Sequence, residues 1–152
     1  MLVYRLCRTK YARDLSGEGS RLKGGRWNHK KTACIYTSAS RSLAILEYTV
    51  NTNIDEIPRS LSIITISIPD ESIYCLDIAK LPGDWKDAPT PTSTKDFGTA
   101  LLHKNQFAIL QFPSVIIPQE YNYILNCMHP LSNKFEIKEV LDFVYDPRIK
   151  LI

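Results

Sequence analysis

The chain has 152 residues, 44% of them hydrophobic and 23% charged, with a formal net charge of +3. That length fits one domain, residues 1–152, able to bury a core without staples, and the composition excludes disordered and collagen-like classes. No apolar run reaches the roughly 18 residues of a membrane span, and charges interrupt MLVYRLCRTKYARD where a signal peptide needs an apolar stretch, so we expect a cytoplasmic protein without membrane contact.

In chain order, residues 2–7 (LVYRLC) alternate loosely and predict a strand. Residues 8–31 carry many Gly, Ser and basic residues and read as a long irregular segment, of the kind that is usually functional. ACIYTS (33–38) predicts a short strand, after which Ser38 or Ser40 caps a helix reaching about Asn51. In SLSIITISIP (60–69) both faces carry enough apolar and β-branched bulk for a strand well inside a sheet. Residues 73–76 predict a further strand, 81–94 a Pro-rich loop, and 94–105 a helix despite Gly98. Residues 108–111 and 114–117 predict strands, 118–134 turns, and 135–145 a last strand. The fold class is therefore α+β, a mixed or antiparallel sheet with a few helices. A doubly wound nucleotide fold is excluded, because no G-x-G-x-x-G follows a strand.

Several residues do not fit a purely structural account. In GGRWN (24–28) the glycines free the backbone ahead of Arg26, Trp27 and Asn28. That arrangement serves a turn with Trp27 in the core, or a ligand site where Arg26 grips an anion. At 100° per residue Glu47 falls between Leu43 and Ala44 on the apolar arc of its helix, with Val50 on the same arc. It is then either a rim carboxylate or a site carboxylate facing a cation or a ligand hydroxyl. Tyr36 shares a strand face with the small Cys34 and Ser38, which leaves space over its ring for a flat ligand. Ser114 follows Pro113 and either closes a turn or presents a hydroxyl at a sheet end. Asn122 and Asn126, four apart with His129 beyond, have the spacing of local side-chain bonds to backbone, a structural role. The four cysteines form no C-x-x-C pair and the three histidines are scattered, so no metal site is expected and the thiols read as reduced and mostly buried.

Taken together, GGRWN, IYTS (35–38), SLAILE (42–47), FPSVIIPQEYNYILN (112–126) with HP (129–130), and VYDPRI (144–149) resemble the RES-domain toxins of bacterial toxin–antitoxin pairs. The resemblance covers nearly the whole chain and matches the arginine, glutamate and serine of the family name to Arg26, Glu47 and Ser114, and its site tyrosine to Tyr36. HKKTA after Asn28, in place of a turn glycine, and Cys127, in place of a proline, depart from the pattern without touching those four positions. The resemblance implies an ADP-ribosyltransferase-like fold that cleaves NAD+, its substrate, between nicotinamide and ribose. Arg26, Tyr36, Glu47 and Ser114 would be catalytic, and Arg26, Asn28, Tyr36, Ser38, Glu47 and Ser114 would contact NAD+. It also implies an Xre-type helix-turn-helix antitoxin as partner, whose C-terminal part blocks the site, with no nucleic-acid binding by this chain itself. The basic stretch 13–31 offers such a segment a rim, and a homodimer inside the hetero-oligomer stays open.

Two other activities compete. A protein mono-ADP-ribosyltransferase would break the same bond but usually needs a second acceptor-activating group near the glutamate, and Asp55 and Glu56 lie beyond the helix end. An RNA-binding or RNA-cleaving toxin would use Arg21, Lys23, Arg26, His29, Lys30 and Lys31 on phosphates, with a histidine as base. A binding module without catalysis is the third alternative.

Overall fold

The computed structural model describes residues 1–150; the last two positions of the expected domain lie outside the described residues. Seven strands form one sheet: β1 (Leu2–Arg8), β2 (Cys34–Ser38), β3 (Leu61–Ser67), β4 (Ile73–Cys75), β5 (Ile109–Pro113), β6 (Tyr121–Asn126) and β7 (Glu136–Phe143). Their order is β4-β5-β6-β2-β1-β3-β7, antiparallel except for the β4–β5 pair. With the helices α1 (Glu18–Lys23), α2 (Arg41–Asn51) and α3 (Thr92–Lys104) this is the expected α+β class.

The sheet is close to two half-sheets. β1 and β3 pair along their full length, whereas β1 meets β2 only at Tyr4 and Ser38. Alternation along each strand divides the apolar residues between two clusters. Val3, Ile64 and Ile66 from one half pack with Ile35, Ile109 and Leu125 from the other. On the opposite face of the second half, Cys34, Leu110, Phe112 and Ile124 pack under Leu102 of α3 and under Trp27 and Trp85. β3 lies between β1 and β7, as its two apolar faces require.

Ser40 caps α2 by accepting the Leu43 backbone N–H at 3.1 Å. Leu43, Ala44 and Thr49 are buried, while Val50, expected on the core arc, is 60% exposed. Thr49 takes the inner position because its hydroxyl donates to Ile45 O at 2.7 Å and accepts from Tyr145 at 2.8 Å, satisfying a polar group that would otherwise be costly to bury. In α3, Gly98 lies against the GGRWN loop: a Cβ there would stand 2.0 Å from Trp27 O. This close approach explains a glycine in mid-helix.

Three further expectations change. The irregular segment 8–31 contains α1, whose Arg21 donates to both oxygens of Glu18 at 2.6 Å. Residues 114–117 are not a strand but begin the β5–β6 hairpin loop, closed by Ser114 N–H to Glu120 O at 2.8 Å. The region 118–134, expected as turns, holds β6, a strand within a stretch whose prolines and asparagines read as turn residues. Among the described residues no helix is long and apolar enough to cross a membrane.

Candidate functional site

The site is built where β2, the β5–β6 hairpin and α2 meet. Glu47 is half-buried on α2, and both of its hydrogen bonds fall on Oε1: Ser114 Oγ donates at 2.8 Å and Asn122 Nδ2 at 2.5 Å. Oε2 has no partner among the described residues. Ser114 is fully buried and its Oγ also accepts the backbone N–H groups of Ile116 (3.1 Å) and Ile117 (3.2 Å), so its proton points to the carboxylate. Ser114 therefore closes the turn and holds Glu47 at once. Behind Asn122, Ser38 Oγ donates to Asn122 Oδ1 at 2.7 Å. Ser38, Asn122, Glu47 and Ser114 form one chain of hydrogen bonds across β2, β6, α2 and the hairpin loop.

Asn122 is the member that sequence reasoning placed elsewhere. Its spacing to Asn126 suggested local bonds to backbone, but in a strand residues four apart lie on one face. Asn126 does bind the backbone of a distant helix, Leu102 O at 3.0 Å, and its own neighbour Met128 N–H. Asn122, opposite Ser38 in the β2–β6 register, instead reaches Glu47. The legible signal was the alternation of YNYILN, which puts Asn122, Ile124 and Asn126 on one side.

A second cluster sits two residues back on the same face of β2, roughly 7 Å along the strand. The Tyr36 hydroxyl accepts the Trp27 backbone N–H at 2.9 Å and donates to Asn28 Oδ1 at 2.6 Å. Burial, and next the adjacent Cys34, push the phenol well above its ordinary value, so it stays a neutral donor. The room expected over its ring is closed on one side by Gly25, where a Cβ would come within 2.6 Å of the hydroxyl. Asn28 is fully buried; its Nδ2 donates to Ser20 O, His29 O and Thr32 O, each at 3.1 Å. The amide thus works inside the protein and reaches the site through Tyr36.

Arg26 holds the loop that precedes α3. Its Nη1 donates to Trp85 O at 3.0 Å and Asp87 O at 3.1 Å. Nε and Nη2 have no partner among the described residues, leaving the side of the guanidinium that matches a two-oxygen anion. Trp27 anchors the loop, its ring stacked on Phe112 at 3.9 Å and on Trp85 at 6.2 Å. Among the described residues Arg26 and Glu47 share no hydrogen bond or ion pair; their clusters are linked through β2, where Tyr36 holds the GGRWN loop and Ser38 holds Asn122.

The histidines serve other elements. His29 Nε2 bonds Asp96 at 2.6 Å, His103 Nε2 bonds Thr32 at 3.0 Å, and His129 Nδ1 accepts Leu131 N–H at 3.1 Å. Asp55 and Glu56 are exposed in the turn after α2. Among the described residues no group of three His, Cys, Asp or Glu side chains is placed to hold a metal. Cys7 and Cys34 are buried, and burial pushes the Cys34 and Cys127 thiols up to about 12.

A family model described as RES domain matches residues 2–146. The chain is 39% identical over 152 residues to a protein named Toxin Res from Photorhabdus laumondii, covering 98% of this chain and 97% of that one. It is 36% identical over 145 residues to a Sphingobium protein named Prs ADP-ribosylating toxin, covering 93% and 90%. Its fold matches a chain in the crystal structure of the M. tuberculosis MbcT–MbcA toxin–antitoxin complex, with a TM-score of 0.75 over 94% of this chain and 84% of that chain at 18% identity.

Proposed function

Because the chain belongs to the RES-domain family, we propose that it is the toxin of a toxin–antitoxin pair and that it breaks the bond between nicotinamide and ribose in NAD+. The observation that carries this reading is the Glu47 carboxylate, with Oε1 held by two donors and Oε2 open. The leaving group is a cationic pyridinium. When the glycosidic bond breaks, its electron pair neutralises the ring nitrogen, so nicotinamide departs without a strong general acid. Positive charge then grows on the ribose, as in glycoside cleavage. A fixed carboxylate stabilises that charge and accepts from a ribose hydroxyl through Oε2. The open Nε and Nη2 of Arg26 suit the pyrophosphate, and Tyr36 holds the arginine loop in place. Water or phosphate then forms the new bond at the ribose carbon.

Transfer to a protein side chain is the second reading, favoured by the Sphingobium relative's name. Among the described residues no second carboxylate joins the Glu47 network to activate such an acceptor, which supports a small acceptor first. RNA cleavage has less support, since each histidine is engaged away from Glu47. The same reading makes residues 1–152 one cytoplasmic domain and assigns it an Xre-type antitoxin whose C-terminal segment plugs the site. The test is incubation of the protein with NAD+, with and without phosphate and with a cell extract, following nicotinamide and the mass of each ADP-ribose product. Nicotinamide release is expected in every arm. Intact NAD+ alongside degraded RNA would overturn the proposal.

A further inference from the structure

We infer that Asn122 is a positioning residue which, with Ser38 behind it, fixes the Glu47 carboxylate so that Oε2 is the atom offered to the substrate. The inference rests on the NAD+-cleaving reading of the same site and deepens it. A carboxylate only accepts hydrogen bonds, so the amide group 2.5 Å from Glu47 Oε1 must be the Asn122 NH2. That leaves Asn122 Oδ1 facing Ser38, whose hydroxyl donates to it at 2.7 Å. A flipped amide would lose the bond to Glu47 and set two acceptors, Asn122 Oδ1 and the carboxylate, against each other. Ser38 is only 3% exposed, so water does not readily take its place. Ser114 is locked in the same manner by two backbone N–H groups.

Two pre-set donors therefore converge on one oxygen from different elements, the Asn122 strand and the Ser114 loop, across sequence separations of 75 and 67 residues. Either donor alone would let the carboxylate swing about the other. Together they fix its rotation, and a fixed anion needs no rearrangement as charge develops on the sugar. Asn122 consequently acts on turnover through Glu47, without touching the reacting atoms.

The experiment compares the parent with Asn122→Ala, Asn122→Asp and Ser38→Ala in nicotinamide release, with the Asn122 side-chain amide signals recorded by NMR in the parent and in Glu47→Ala. Asn122→Ala is expected to lower kcat about 30-fold with KM changed less than about threefold, as for a lost hydrogen bond to a charged group that counts in the transition state. Asn122→Asp keeps the shape and the Ser38 bond but replaces the donor by an acid; it is expected to lose at least as much. Ser38→Ala leaves Asn122 in place and is expected to cost about fivefold. Parental kcat in Asn122→Asp, or a loss confined to KM, would overturn the inference. If the parent releases no nicotinamide, the functional reading fails and the amide signals decide this one: a shift on Glu47→Ala supports the Asn122–Glu47 bond, and unchanged signals overturn it.

Discussion

The two clusters on one face of β2 are built in different ways. Around Ser38, side chains from four elements form one chain of hydrogen bonds that sets two donors on the Glu47 carboxylate, and each of its three bonds runs between side chains. Around Tyr36, a loop is held by its backbone: Trp27 N–H on the phenol, Arg26 on two carbonyls of the Trp85–Asp87 turn, and glycines at the two close approaches. The first arrangement fixes a single charge. The second fixes a stretch of chain and leaves part of its cation open, which suits gripping a ligand whose shape must be followed. Under the proposed function, a rigid anion would serve the changing charge and a loop the unchanging phosphates of NAD+.

Removing the anion is expected to separate the clusters most sharply. Glu47→Gln keeps the shape and should slow nicotinamide release roughly 100-fold, about 3 kcal/mol of transition-state stabilisation. The thermal midpoint should hardly change. Turnover near the parent's would show that Glu47 is not the electrostatic centre.

Gly98→Ala attacks the loop cluster from α3. The new Cβ would overlap Trp27 O, a backbone atom that cannot step aside, and the expected cost is about 3 kcal/mol of stability by denaturant unfolding. Gly19, in α1, has nothing within 4 Å of its Cβ position. Gly19→Ala should therefore be neutral or stabilising by about 0.5 kcal/mol. Equal effects of the two alanines would remove the close approach as the reason for Gly98.

Arg26→Lys keeps the charge but not the planar fork. We expect about tenfold weaker NAD+ affinity, close to that of Arg26→Ala, and easier proteolysis of the Trp85–Asp87 turn. A lysine variant that binds like the parent would mean that the loop needs only a diffuse positive charge.

The smallest expected effect is a pH dependence. The Tyr36 phenol is raised well above 10.0 in the folded protein, so its contribution to stability is complete below that value. Above it the unfolded chain loses a proton that the folded chain keeps, and stability falls as pH rises. Cys34 adds the same sign between 9.0 and about 12. Tyr36→Phe should cost roughly 2 kcal/mol at neutral pH by stranding Trp27 N–H and Asn28 Oδ1, and its stability should fall less steeply above pH 10. An identical slope in parent and variant would place the titration on other groups.

Much was readable from the residues in order. The two apolar faces of SLSIITISIP call for an interior strand, and Ser38 or Ser40 ahead of LAILE calls for a capped helix; both are local patterns of backbone and side-chain periodicity. Arg26, Tyr36, Glu47 and Ser114 each stand out from their sequence surroundings, and the family resemblance adds the catalytic role they would share. The inward turn of Asn28, the burial of Thr49 in place of Val50, and the donation from Asn122 to Glu47 were not. Each of these depends on partners brought in by strand register or by the hairpin, as when Tyr36 meets Asn28 through the folded loop and Asn122 stands opposite Ser38, 84 residues away. Periodicity says which face a side chain takes; only the pairing of distant strands says what waits on that face, because a hydrogen bond is decided within a few tenths of an ångström by residues that carry no local mark of one another.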